Sequence, residues 1–99
     1  MFSERRKYPL TIHFNERRFE RIEIDLHYEK KHSDMTDQTI LGLVQLLDGQ
    51  ASESIIEGAD GFFYCAKELY CQNKLYRIVL TYSNEDFLGV VNAFRVKEK

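Results

Sequence analysis

Four side chains in this sequence are of the types that cleave a phosphodiester without a metal: His32, Glu68, Arg77 and Asn92. Three more, Lys30, Lys31 and Arg95, are of the types that hold its phosphate. The reaction needs a base for the 2′-hydroxyl proton, an acid for the leaving oxygen, and cations where negative charge builds. Histidine fills either proton-transfer role, because its unperturbed pKa lies near neutrality. Glu68 acts as a base only where burial outweighs the pull of Arg77 towards the charged form. Arg77 and Arg95 can fork around phosphate oxygens, Asn92 can donate an amide N–H, and the lysine pair adds attraction. Each residue also has a plain reading. Glu68, Arg77 and Asn92 can be a cross-strand ion pair with an amide, His32 a helix cap, and the remaining cations solvated charge.

The elements that must position these residues follow from periodicity. Leu10, Ile12 and Phe14 alternate with Thr11 and His13, and after NERR, Ile22, Ile24 and Leu26 alternate with Arg21, Glu23 and Asp25. Pairing Ile12 with Ile22 and Leu10 with Ile24 gives a half-buried hairpin with Thr11/Glu23 and His13/Arg21 facing water. Pro9 stands at the start of the first strand, where its missing N–H does little harm. The cluster HYEKKHSD (27–34) then precedes TDQTILGLVQLLDGQ. There Ile40, Leu43, Val44 and Leu47 recur at helical spacing, Thr36 or Asp34 serves as N-cap, Asp37 suits the positive helix end, and Gly49 stops the helix. Residues 50–61 read as a small acidic connection.

FFYCAKELY, LYRIVLTY and FLGVVNAFRV read as a three-stranded meander broken at CQNK and SNED. Four-residue loops at both breaks place Tyr70 opposite Leu75, Glu68 opposite Arg77, Tyr82 opposite Phe87, and Arg77 opposite Asn92. Glu68, Arg77 and Asn92 then form one row on a face with Ala66, Val79, Val90, Tyr70, Leu75 and Phe94. Phe63, Cys65, Leu69, Ile78, Leu80 and Val91 take the other face, which the helix is expected to cover. The expected fold is α+β, with element order β-β-α-β-β-β and one main helix on an antiparallel sheet.

Composition limits the function classes. The 99 residues fit a single domain (1–99), with 1–7 expected as a flexible N-terminus, and 43% hydrophobic content argues for a packed core. No apolar run approaches the length of a membrane helix, and MFSERRKYPL lacks the apolar core of a secretory signal, so a cytoplasmic protein is expected. Cys65 and Cys71 are too few for a disulfide framework and lack a zinc-ligand pattern. The His27-x4-His32 spacing does not bring both rings to one helical face, and no GxGxxG, Walker loop or HExxH is present, so neither metal nor cofactor is expected. His13 reads as exposed, and His27 as a residue that hydrogen-bonds a chain end.

Charge is uneven. Residues 1–31 carry eight Lys/Arg against six Asp/Glu, residues 32–70 one against seven, and residues 71–99 five against three, for a net charge of -2. That balance argues against avid non-specific nucleic-acid binding, yet allows a small basic site where the two ends of the chain meet.

A histidine ahead of a helix, followed by strands reading LYRIVLTY and GVVNAFR, resembles the small bacterial toxins of the barnase–EndoU–colicin–RelE-like superfamily over residues 27–96. The resemblance implies a ribonuclease-like toxin of a toxin–antitoxin or related conflict system, cleaving RNA on its exposed sheet face. By position it implies His32 as acid or base, Arg77 as phosphate ligand, and Asn92 and Arg95 as polar residues of the last strand. The slight acidity and the hairpin at 8–26 depart from that pattern. A different class is a non-enzymatic inhibitor (antitoxin, immunity or phage-type protein) that docks through Tyr64, Tyr70, Val79, Val90 and Phe94. A third is a homodimer joined through the same face.

Overall fold

The computed structural model describes residues 4–26, 28–32, 34–52 and 55–97. Two helices and six strands run in the order β1 (Arg5–Phe14), β2 (Arg17–Asp25), α1 (Tyr28–Lys31), α2 (Asp37–Leu46), β3 (Ile56–Glu57), β4 (Phe63–Cys71), β5 (Lys74–Tyr82) and β6 (Phe87–Arg95). The strands form one sheet in the order β1-β2-β6-β5-β4-β3, antiparallel except for the parallel β2–β6 pair. The α+β class and its mainly antiparallel sheet are therefore as the sequence implies. Two elements are additional: α1 lies within HYEKKHSD, and β3 pairs with β4 inside the expected loop.

Helix α2 forms where its periodicity places it. Thr36 is extended and its hydroxyl accepts from the Thr39 N–H at 3.1 Å, satisfying a donor that the first turn leaves free. Ile40, Leu43, Val44 and Leu47 are fully buried against Ile12, Phe14, Ile22, Ile24, Ile78 and Leu80. The helix thus covers the more uniformly apolar face of the sheet, leaving the other face open. Gly49 follows at φ +83, where its N–H donates to the His13 carbonyl and ties the helix end to β1.

Both hairpins turn through two residues with positive φ, Asn15–Glu16 (54°, 62°) and Gln72–Asn73 (51°, 66°), the twist that matches two strands directly. The tighter turn leaves the β4–β5 register as expected: Tyr70 faces Leu75 and Glu68 faces Arg77, with Cys71–Lys74 added as a further pair. In the first hairpin it changes the register. Ile12 faces Phe19 rather than Ile22, and past a bulge between Pro9 and Ile12, Tyr8 faces Ile22 and Arg6 faces Ile24. The Leu10–Ile24 pairing does not form, and β1 begins at Arg5, within the stretch expected to be flexible. Glu23 consequently faces Lys7, and His13 faces Arg18; Glu23 keeps the face opposite Ile22 and Ile24, yet is buried there instead of facing water.

The β5–β6 register also differs from expectation. Phe87 pairs with Arg21 of β2, and the Glu20 N–H donates to the Asp86 carbonyl, so the chain enters β6 against β2. Thr81 then faces Gly89, and Leu80 faces Val90. Past a bulge between Val79 and Leu80, Val79 faces Asn92 and Arg77 faces Phe94. Val90 therefore belongs to the core, while Val91 lies against the open face, the reverse of the expected assignment.

Candidate functional site

The open face carries two charged regions, one at each end of β5. The first holds the residues that the sequence singles out. Glu68 and Arg77 pair at 3.3 Å with about half of each side chain exposed. Phe94, not Asn92, completes their row across the sheet. Asn92 sits one rung away opposite Val79, its Oδ1 accepting from the Ala93 N–H at 3.0 Å. His32 follows α1, which packs beside β6, and its ring stacks on Phe94 with centroids 5.1 Å apart. Phe94 thus stands between His32 and the Glu68–Arg77 pair. Lys30 and Lys31 are exposed on α1, and Arg95, opposite Tyr76, belongs to the face away from Arg77. The fold brings α1 and the end of β6 together here but does not set His32, Glu68, Arg77 and Asn92 around one point. His27 lies outside the described residues.

The second region was not singled out from sequence. A row across the sheet reads Lys7–Glu23–Gly89–Thr81–Tyr64. Gly89 contributes no side chain to its middle, and a cavity of about 260 Å³ opens there. Lys7 on β1 and Tyr64 on β4 both line it, although four inter-strand steps separate them, about 19 Å in a flat sheet. The sheet must therefore curl around this cavity, as its two bulges favour. Phe62, Phe87 and Val91 supply apolar wall, and Asp25 lies along from Glu23 on the same strand.

Glu23 is the centre of this region. Its side chain is 1% exposed, yet it lines the cavity. Arg21 Nε donates to Oε2 at 2.7 Å, and Arg5 Nε lies 3.0 Å from Oε1 as an ion pair. The Arg5 approach is off the angle of a hydrogen bond, so Oε1 has a compensating charge but no directed donor. Arg21 also bonds Asp86 Oδ1 at 2.7 Å, and both guanidiniums lie over the Phe87 ring, at 5.5 Å (Arg5) and 5.2 Å (Arg21). Lys7, exposed on the edge strand, makes no ion pair with the described residues. Across the cavity the Tyr64 hydroxyl donates to Asp60 at 2.7 Å, which raises the phenol and lowers the carboxyl from their ordinary values.

A third cluster is structural. Asp37, in the first turn of α2, accepts from Arg6 Nε at 2.6 Å, from Tyr8 at 2.5 Å and from Tyr28. Burial would raise its carboxyl, but the bonds from Arg6, Tyr28 and Tyr8 outweigh that and hold it below the usual aspartate range. The cluster clamps β1, α1 and α2 together and so fixes the strand that presents Arg5 and Lys7.

A signal for the cavity is present in the sequence. RRK at 5–7 and RIEID at 21–25 carry opposite charges at matching alternate positions, and a lone glycine interrupts the β6 run. What spacing does not show is the enclosure: Glu23 lies on the face away from Ile22 and Ile24 in either register, and Phe62, Tyr64, Phe87 and Val91 wall it off from water. Comparison with protein-family models, with curated proteins and with solved structures finds no match.

Proposed function

We propose that the protein binds single-stranded RNA or a free nucleotide on its open sheet face, one nucleotide being held in the Glu23 cavity. The observation that carries this reading is the buried Glu23 carboxylate, set between two arginines on the floor of an aromatic-walled cavity, with Lys7, which pairs with no described residue, at its rim. A nucleotide presents matching chemistry: a phosphate for Lys7, a flat base for the apolar wall, and base-edge N–H donors for the carboxylate. Binding is the role this geometry supports. Strand cleavage, the reading expected from the superfamily resemblance, needs an acid and a base astride one phosphate. Phe94 separates His32 from Glu68, and no described histidine lines the cavity.

The test is fluorescence anisotropy of a short labelled mixed-sequence RNA in chelator at several salt concentrations, alongside labelled free nucleotide and a gel assay for cleavage. Expected is binding in the range of ~1–100 µM that weakens with salt. Lys7→Glu should weaken it and flatten the salt dependence by about one charge, while Lys31→Glu leaves it unchanged. The reverse result places RNA at the α1 end, and absence of binding to strand and nucleotide alike overturns the reading.

The inhibitor reading keeps one supporting observation. Ile56 on edge strand β3 is 71% exposed beside exposed Ile55, an apolar strand edge of the kind partners pair with. Of the interface expected from sequence, Val90 is in the core and Tyr64 lines the cavity, so that surface is smaller than the sequence implies.

A further inference from the structure

Resting on the nucleotide reading, the geometry points to a base preference: we infer that Glu23 selects guanine. Its carboxylate offers two acceptor oxygens side by side, with lone-pair capacity left after the Arg21 bond at Oε2. Oε1 has no directed donor although the residue is nearly fully buried, which is the condition under which a missing partner is most costly. The guanidiniums of Arg5 and Arg21 flank this acceptor pair with N–H donors.

With an Arg21 N–H beside them, the two oxygens would present a base in the cavity with an edge of one donor and two acceptors. Guanine's Watson–Crick edge is its complement: the O6 acceptor, then the N1–H and N2–H donors. None of the other three RNA bases has two adjacent donors. Adenine and cytosine each place a ring acceptor beside their amino group and would set a lone pair against the carboxylate. Uracil has a single N–H between two carbonyls. The mismatch is penalised because a buried carboxylate facing a lone pair has no water to turn to. A well-aligned bidentate contact discriminates by roughly 5- to 150-fold. Phe62 gives the purine an apolar wall, and Gly89 leaves the floor open for it.

The experiment is calorimetric titration of the full chain with the 5′-monophosphates of guanosine, adenosine, cytidine, uridine and inosine. Expected is guanosine monophosphate bound at least about fivefold more tightly than the adenosine, cytidine and uridine forms. Inosine, which keeps N1–H but lacks the N2 amine, should fall between. Glu23→Gln, which replaces one acceptor by a donor, should level the series. Equal binding of all five by the wild type overturns the guanine inference and leaves nucleotide binding standing, whereas binding of none overturns both. A folded Glu23→Gln protein that keeps the preference removes Glu23 as the reading group. If that variant does not fold, the wild-type ratio of guanosine to inosine decides, and a ratio of one overturns the inference.

Discussion

Two carboxylate–arginine contacts lie on the same face of one sheet, about 13 Å apart along β5 from Arg77 to Thr81. Glu68 and Arg77 meet at 3.3 Å, each about half exposed, three pairs short of the Gln72–Asn73 turn. Glu23 is enclosed, because β2 is flanked by β1 and β6 and the sheet curls to bring Phe62 and Tyr64 towards it. The residue types are alike and the consequences differ. An exposed pair exchanges water for a partner at little gain, whereas a buried carboxylate depends on every donor around it. Composition and spacing favoured the first pair, and burial favours the second as the place where a ligand would be held firmly.

The sharpest way to break this comparison is to remove one partner from each pair. Arg21→Ala leaves Glu23 buried with Arg5 alone and frees Asp86, so a loss of about 3 kcal/mol is expected, the low end for breaking a buried pair because Arg21 is itself partly exposed. Urea unfolding of the variant and wild type measures it. A loss below about 0.5 kcal/mol, the size of a surface change, would mean that water reaches Glu23 freely and that the two regions are equivalent.

Acid separates the regions by another route. Asp37 holds β1, the strand that carries Arg5 and Lys7, and its carboxyl is lower in the folded protein than in the unfolded chain. Its contribution is complete above the unfolded aspartate value of about 4 and is lost as pH falls through the lower folded value. Asp37→Asn should therefore cost about 1.5–3 kcal/mol at neutral pH, and the variant should lose less further stability on acidification than the wild type. Amide exchange at low pH should rise in β1 before it rises in β4 and β5. Uniform exchange across the sheet would show that the clamp does not control the cavity wall.

What was legible in the sequence was whatever depends on local pattern. The α2 stripe, its Thr36 cap and the CQNK register all follow from spacing and turn chemistry within a few residues. The β-bulges were not legible. Pro9 carries no N–H, and the break between Pro9 and Ile12 shifts β1 by one residue against β2. The entry into β6 one residue out of the expected register, with Thr81 facing Gly89, exchanges the roles of Val90 and Val91 before the break at Val79/Leu80. Each shift is set by contacts far along the chain, such as Glu20 with Asp86 and Phe87 with Arg21. A one-residue shift at the entry to β6 and a second at its bulge together move Asn92 out of the Glu68 row. Glu23, on the face opposite Ile22 and Ile24 in either register, is instead buried by the curl of the sheet, which no local pattern shows. For His32 the sequence shows only a position ahead of the helix; its Phe94 partner depends on where α1 packs and on the β6 register.

The smallest expected effect lies at the α1 end and completes the comparison. Glu68→Ala removes an exposed ion pair whose Arg77 partner remains hydrated, so stability should change by less than about 0.5 kcal/mol. His32→Ala removes a ring stacked on half-buried Phe94 and should cost about 0.5–1.5 kcal/mol. Neither should alter nucleotide affinity if the Glu23 cavity is the binding site, because no atom of either residue lines it. A His32→Ala protein of near wild-type stability that loses RNA binding would invert the ranking. The stacked His32–Phe94 pair would then be a base platform in its own right, and Arg77, directly across from Phe94, the cation that holds the adjoining phosphate.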